Sequence, residues 1–254
     1  MKKVKMLGLL VVMLLLAGIF PVKTYAAGWI QGDNGLWWYQ HEDESYTTSG
    51  WETIGGKNYY FDEAGRMKTG WLKLENTWYY LSIYGDMQTG WKNIGGAWYY
   101  LNEDGAMLTG WQNIGNNRFY LDGSGAMYTG WLKLGNNWYY MNNSGAMLRG
   151  WQSIGGAWYH LNEDGVMLTG WQKIGNNWFY LNGSGAMTTG WQNVGGTWYY
   201  MNNSGAMLTG WQVIGGAWYY LDGSGAMHTG WIRLGETWYY LTASGAMAAN
   251  TWIG

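Results

Sequence analysis

The sequence predicts an all-β fold, in which tandem β-hairpin repeats of 20 residues stack into a solenoid-like superhelix. Three observations predict it. Gly-Trp pairs place Trp51, Trp71, Trp91, Trp111, Trp131, Trp151, Trp171, Trp191, Trp211 and Trp231 at an unbroken spacing of 20. Each repeat carries two runs rich in aromatic and β-branched residues on either side of a turn pair such as Gly95-Gly96, which is a hairpin signal. The composition, 43 Gly, 22 Trp and 22 Tyr against 4 Phe in 254 residues, is unlike that of an ordinary aliphatic core and favours a periodic architecture.

The first element in chain order is a secretory signal peptide over residues 1–26. Lys2, Lys3 and Lys5 precede an apolar run at residues 6–20, followed by Pro21 and the stretch Thr24-Tyr25-Ala26-Ala27. The run is shorter than the roughly 20 residues a membrane-spanning helix needs. Cleavage after Ala26 puts Thr24 at the third residue before the cut, and Ile19 stands where a lipoprotein signal needs Cys. The mature chain is therefore expected to be secreted, with no membrane insertion after signal cleavage.

Residues 27–50 read as a divergent N-terminal capping repeat. Gly28-Trp29 precedes the next Gly-Trp by 22 residues, and Trp37-Trp38-Tyr39 stands where the aromatic triplet belongs. Residues 51–254 form the repeat array, ten 20-residue repeats with the last one truncated, because Asn250-Thr251-Trp252 breaks the Gly-Trp rule. With the turn at Gly95-Gly96, Ile94 faces Ala97, Asn93 faces Trp98, Lys92 faces Tyr99 and Trp91 faces Tyr100. Trp91, Trp98 and Tyr100 then share one face, and Ile94, Ala97, Tyr99 and Leu101 the other. Other repeats put Gly115-Asn116, Gly135-Asn136 or Gly235-Glu236 at the turn, and Glu75-Asn76 fits it least well. A lone hairpin is marginal in water, so neighbouring hairpins must stack.

Eighteen of the 22 Trp occupy two positions of the repeat, ten after the Gly of the 20-residue period and eight opening the aromatic triplet, which is W-Y-Y except at Trp158-Tyr159-His160 and Trp178-Phe179-Tyr180. A core built for stability alone would favour Val, Ile and Leu, which bring no N–H or O–H to satisfy. Two Trp and a Tyr on one face, with a Met two residues after the second-turn Gly, suggest an aromatic cage for a quaternary ammonium ion. A few such faces, less the cost of association, leave about 4 kcal/mol, near a millimolar dissociation constant. A row of cages on a polymeric ligand gains roughly 10² to 10⁴ in avidity.

The repeat G-W-x-x-I-G-G-x-W-Y-Y-L-x-x-x-G-x-M-x-T, as in residues 90–109, closely resembles the choline-binding (cell-wall-binding) repeats of streptococcal surface proteins and autolysins. The resemblance implies hairpins stacked in a left-handed superhelix. It also implies choline or phosphocholine of teichoic acids held by two Trp of one repeat and a Tyr, often with a Met, of the next. Carried over by position, the cages are Trp71, Trp78, Tyr100 and Met107; Trp91, Trp98, Tyr120 and Met127; and Trp151, Trp158, Tyr180 and Met187. The remaining three are Trp171, Trp178, Tyr200 and Met207; Trp191, Trp198, Tyr220 and Met227; and Trp211, Trp218, Tyr240 and Met247.

Three positions depart from the pattern. Asn58 and Arg118 stand where the second Trp belongs, and His160 takes the Tyr position in the cage of Trp131 and Trp138. A fixed charge at Arg118 is expected to repel choline. Trp231 and Trp238 have no following hairpin, which leaves the terminal segment or a homo-oligomer through the C-terminal repeat to cover them.

No catalytic residue, cofactor or metal site is expected. His41, His160 and His228 fall in different registers, Cys is absent, and Asn102-Glu103-Asp104-Gly105 lacks the ligand ladder of a calcium loop. The Gly-Ser-Gly turns, such as Gly123-Ser124-Gly125, lack the strand-to-helix setting of a nucleophile. A net charge of −2 with 12% charged residues carries no nucleic-acid footprint. The leading reading is a non-catalytic protein bound non-covalently to the cell wall or surface. The alternatives are glucan or other polysaccharide binding, with Lys92, Gln112, Asn113 and Lys173 beside the Trp platforms, and an accessory targeting subunit of a lysin.

Overall fold

The structure, a computed structural model, describes residues 26–249. The apolar run of the expected signal peptide and the terminal segment around Trp252 lie outside the described residues. Among the described residues there are 22 strands in eleven two-stranded antiparallel sheets, and no helix. The described residues divide into two compact units, the first running to Gly90 and including Leu101–Met107, the second comprising Trp91–Tyr100 and the residues from Leu108 onward.

In the second unit the hairpins run from Gly110–Ile114 with Asn117–Leu121 to Gly230–Leu234 with Thr237–Leu241. The pairing follows from the two-residue turn: Trp171 lies opposite Tyr180, Gln172 opposite Phe179, and Lys173 opposite Trp178. Gly95 and Gly96 take φ of 62° and 88°, the left-handed conformations that let so tight a turn follow the strand twist. In the first unit Glu75 adopts φ 52° at the equivalent position, so the weakest turn pair closes the hairpin at the expense of backbone strain.

Successive hairpins are joined through the second turn of the repeat. The Met207 N–H donates to the Trp178 carbonyl at 2.8 Å, and Met127 to Trp98, Met147 to Arg118 and Met247 to Trp218 do the same at 2.7–2.8 Å. Met207 also bridges Met201 at the end of its own hairpin. The Met position has a packing role as well: a Cβ on Gly225 would lie 2.3 Å from the Met207 Sδ, so only glycine lets the next turn close over that thioether. The residue ending each second strand forms the dry core, with Leu121, Met141, Leu161, Leu181, Met201, Leu221 and Leu241 fully buried. Aliphatic burial and inter-repeat backbone bonds thus hold the stack, and the first Trp of a repeat adds to it, as Trp111 does by packing with Tyr120 and Tyr139 against Leu132, Met141 and Met147.

In the first unit residues 27–50 are no mere extension. Gly28–Gln31 pairs with Trp37–Gln40, placing Trp29 opposite Tyr39 and Gln31 opposite Trp37. Because side chains alternate along a strand, Trp29, Trp37 and Tyr39 share a face, as the two Trp and the Tyr do in later repeats. Residues 32–36 form a longer loop than the usual two-residue turn, closed by the Gly32 N–H on the Leu36 carbonyl at 3.0 Å. This longer loop supplies one of the two extra residues in the Gly-Trp spacing, and the segment between Tyr46 and Trp51 supplies the other.

Candidate functional site

The face that carries Trp171 and Trp178 meets the opposite face of the next hairpin. The two indoles stand 6.5 Å apart at 83°, and the Tyr199 ring closes on Trp171 at 4.7 Å and 69°. Met207 and the turn residues Gly223 and Ser224 complete a cavity of about 300 Å³. Its neighbour, about 320 Å³, is lined by Trp191, Trp198, Tyr219, Met227, Ala243 and Ser244. A third, about 410 Å³, is lined by Trp91, Trp98, Phe119, Met127, Asn143 and Ser144. No carboxylate lines any of the three, so a cation held there is held by ring faces and a polarizable sulfur.

The second Trp of each pair is half-exposed, 42% for Trp178 and 44% for Trp198, although the stack could have covered it. An indole face left open beside a second indole and a Tyr is suited to a ligand more than to a core. The chain's own cations respond to these faces. Lys133 Nζ lies 5.5 Å from the Trp138 ring centroid, and the Arg118 guanidinium lies 4.4 Å from that of Trp111.

The choline-binding repeat family matches residues 48–87, 88–129, 108–149, 148–189, 188–227 and 208–252. The chain belongs to the choline-binding repeat family. No curated protein sequence matches. Among solved structures, CbpJ from Streptococcus pneumoniae TIGR4 is similar at 35% identity over 89% of this chain and 96% of its own, with a TM-score of 0.68. Choline binding protein F from Streptococcus pneumoniae is similar at 32% identity over 91% and 95%, with a TM-score of 0.62. The modular autolysin LytC from the same species matches at 29% identity over 89% of this chain but 53% of its own, with a TM-score of 0.58.

Within the choline-binding repeats of the second unit the structure departs from the sequence reading at one position of five cages. The third ring is the second residue of the W-Y-Y triplet and not the third. Tyr199 takes the place read for Tyr200, Tyr219 that for Tyr220, and Phe119 that for Tyr120. In the same way Phe179 stands 4.9 Å from Trp151 where Tyr180 was expected, and Tyr239 stands 4.9 Å from Trp211 where Tyr240 was expected. The reason is strand alternation: a hairpin presents one face to the repeat before it and the other to the repeat after it, so the closing ring has opposite parity to the Trp pair. The residues read from sequence stand behind the first Trp of their own hairpin. Tyr180, Tyr200, Tyr220 and Tyr240 lie 5.1–5.3 Å from Trp171, Trp191, Trp211 and Trp231. Tyr100 and Tyr120 back Trp91 and Trp111 at 5.2 and 5.3 Å.

Trp191 faces Trp198 at 6.4 Å, Trp211 faces Trp218 at 6.2 Å, and Met187 donates to the Trp158 carbonyl at 2.7 Å. In the first unit Trp71 faces Trp78 at 6.1 Å, and Met107 donates to the Trp78 carbonyl at 2.8 Å.

The parity also reassigns one of the departures. His160 does not stand in the cage of Trp131 and Trp138, where Tyr159 closes on Trp131 at 4.9 Å. It backs Trp151 at 5.0 Å, its Nδ1 buried without a hydrogen-bond partner, and burial holds its pKa below the ordinary 6.5 although Glu163 opposes the shift. Arg118 stays at the second-Trp position, where its guanidinium lies over the Trp111 ring and Tyr139 closes on Trp111 at 5.0 Å.

A cavity of about 310 Å³ in the first unit was missed by sequence reading, lined by Trp29, Trp37, Tyr59, Met67, Ile83 and Tyr84. Its signal was the triplet Trp37-Trp38-Tyr39, obscured by the longer loop before it. The turns around the cavities are held by short-range hydrogen bonds. The Asp122 carboxylate accepts from the Ser124 hydroxyl and N–H and from the Ala126 N–H, and these bonds keep its pKa below 3.8 against partial burial. Among the described residues, no group of three His, Cys, Asp or Glu is placed to hold a metal ion.

Proposed function

We propose that the protein is a non-catalytic cell-wall-binding protein that recognises choline of teichoic acids through these aromatic cavities. One observation carries the reading: a partly buried Trp, a half-exposed Trp, a third aromatic ring and a Met enclose a neutral cavity, repeated along a chain of choline-binding repeats. A trimethylammonium group has no hydrogen to donate, so a cage of ring faces meets its needs where a carboxylate would favour ordinary cations equally. Phe119 and Phe179 at the third-ring position support the reading, because a face suffices and the Tyr hydroxyl is dispensable. Each cavity holds its ion weakly, and attachment arises from several engaging one polymer. Secretion through the signal peptide of residues 1–26 places the protein where that polymer is. A relative, choline binding protein F, has been solved in the presence of a peptidoglycan analogue, in keeping with a wall location.

Retention on a choline-bearing matrix tests the proposal. The mature protein is expected to stay bound through a wash in about 1 M salt, where the Debye length of roughly 3 Å removes ion exchange, and to elute with free choline but not with dextran. Passage through the choline matrix with retention on a glucan column would overturn it.

A further inference from the structure

The cavity of Trp29, Trp37, Tyr59 and Met67 differs from the others in its rim. Where Asn143 and Ser144, Gly223 and Ser224, or Ala243 and Ser244 border the later cavities, Ile83 and Tyr84 border this one. Both are almost fully in solvent, 79% and 76% exposed. Scattered exposed hydrophobes are ordinary on a protein surface, so exposure alone says little. Their place does: two adjacent apolar side chains stand at the mouth of an aromatic cavity, at positions that small or polar residues hold elsewhere.

The turn that presents them is held in place. The Ser82 N–H donates to the Asp86 carbonyl at 2.9 Å, the Tyr84 N–H donates to the Ser82 hydroxyl at 3.0 Å, and that hydroxyl donates to the Asp86 carboxylate. The Gln88 side-chain amide also donates to the Asp86 carboxylate at 2.8 Å, and the Gly85 N–H to the Ser82 carbonyl at 2.9 Å. A rim fixed before binding loses little entropy when a ligand lies against it.

We infer that this N-terminal cavity is a binding site for a quaternary ammonium ion carrying an apolar arm, aryl or alkyl, and prefers such an ion to choline. The inference rests on the cage reading proposed above. The cationic head lies between Trp29, Trp37 and Tyr59 against Met67, and the arm leaves the mouth across Ile83 and the Tyr84 ring. A hydroxyethyl arm gains nothing from that surface, whereas a phenyl arm buries apolar area on both sides and stacks on Tyr84. At the later cavities the same phenyl group meets Ser with Asn, Gly or Ala, none of which offers a comparable apolar surface.

Calorimetric titration of the mature protein with benzyltrimethylammonium, and a crystal soak in the same ion, test this. One site is expected to bind about tenfold more tightly than the rest, with ring density against Tyr84. The double variant Ile83→Asn, Tyr84→Ser is expected to lose that tight class, and its thermal midpoint checks that it is folded. Equal occupancy of the Trp29 and Trp171 cavities, or a tight class that survives in the variant, overturns the inference. Choline density in the later cavities with no preference for the aryl ion overturns this inference alone. Cavities that take neither ion overturn it together with the reading on which it rests.

Discussion

The repeats of Arg118 and Trp178 share a backbone and differ in what covers the first Trp. In each, the N–H of the following Met, Met147 or Met207, donates at 2.8 Å to the carbonyl of the residue in question. The link that stacks the hairpins therefore uses the main chain and is indifferent to the side chain. At Trp178 that side chain is an open wall of a cavity; at Arg118 it is a cation lying 4.4 Å from the Trp111 ring centroid. Stacking uses the main chain of this residue and the cavity wall its side chain, so the side chain can change while the link between hairpins stays.

The largest effect should come from breaking the open cavity. Trp178→Ala is expected to remove choline from the Trp171 cavity, with at least a tenfold loss at that site by titration and no density in a soaked crystal. The thermal midpoint should fall only slightly, because the indole is 42% exposed and the carbonyl bond remains. Lys173→Ala, facing Trp178 across the hairpin but outside the cavity lining, is the matched control and should change binding little. Equal losses in the two variants would mean that the Trp face is not the recognition surface.

The reverse change sharpens the comparison. Arg118→Trp should create a cavity with Trp111, Tyr139 and Met147, raising the number of choline ions bound by about one, whereas the unaltered protein shows none there. Choline density over Trp111 with Arg118 still present would show that the guanidinium yields its place.

Smaller effects concern the rings on either side of the first Trp. Tyr199→Phe is expected to alter choline affinity at its cavity by no more than about twofold, since Phe119 and Phe179 already serve at the equivalent position. Behind Trp151 stands His160 where Tyr180 stands behind Trp171. Burial keeps the imidazole neutral below its ordinary pKa of 6.5. The unfolded chain therefore binds a proton first on acidification. The stability from the neutral ring is fully present above pH 6.5 and is lost as the pH falls from there through the lowered folded-state pKa. His160→Tyr should flatten that part of the pH dependence of thermal unfolding; an unchanged slope would assign the effect elsewhere.

These particulars divide what was legible in the sequence from what was not. The hairpin register was legible because a two-residue turn leaves a single antiparallel pairing, and Trp171 opposite Tyr180 follows from counting outward from Gly175-Asn176. The 20-residue period made the stacking legible, since no single hairpin buries enough to stand alone. That Trp191 and Trp198 share one face was legible for the same reason as the register.

The closing ring was not. Counting within a hairpin says which side chains share a face, but not which face of the next hairpin they meet, so Tyr199 and Tyr200 were separated only by the tertiary stack. The same lack hid the cavity of Trp29 and Trp37, whose longer loop moves the spacing but leaves the facing residues unchanged. Composition marked Arg118 as a charge in the wrong place, and only the folded chain decided that it lies on the Trp111 ring. By itself the sequence determined the repeat, its hairpin and the residue types available to a cage. The tertiary structure decided which rings enclose each cavity, because strand alternation is a local rule and the meeting of faces is not.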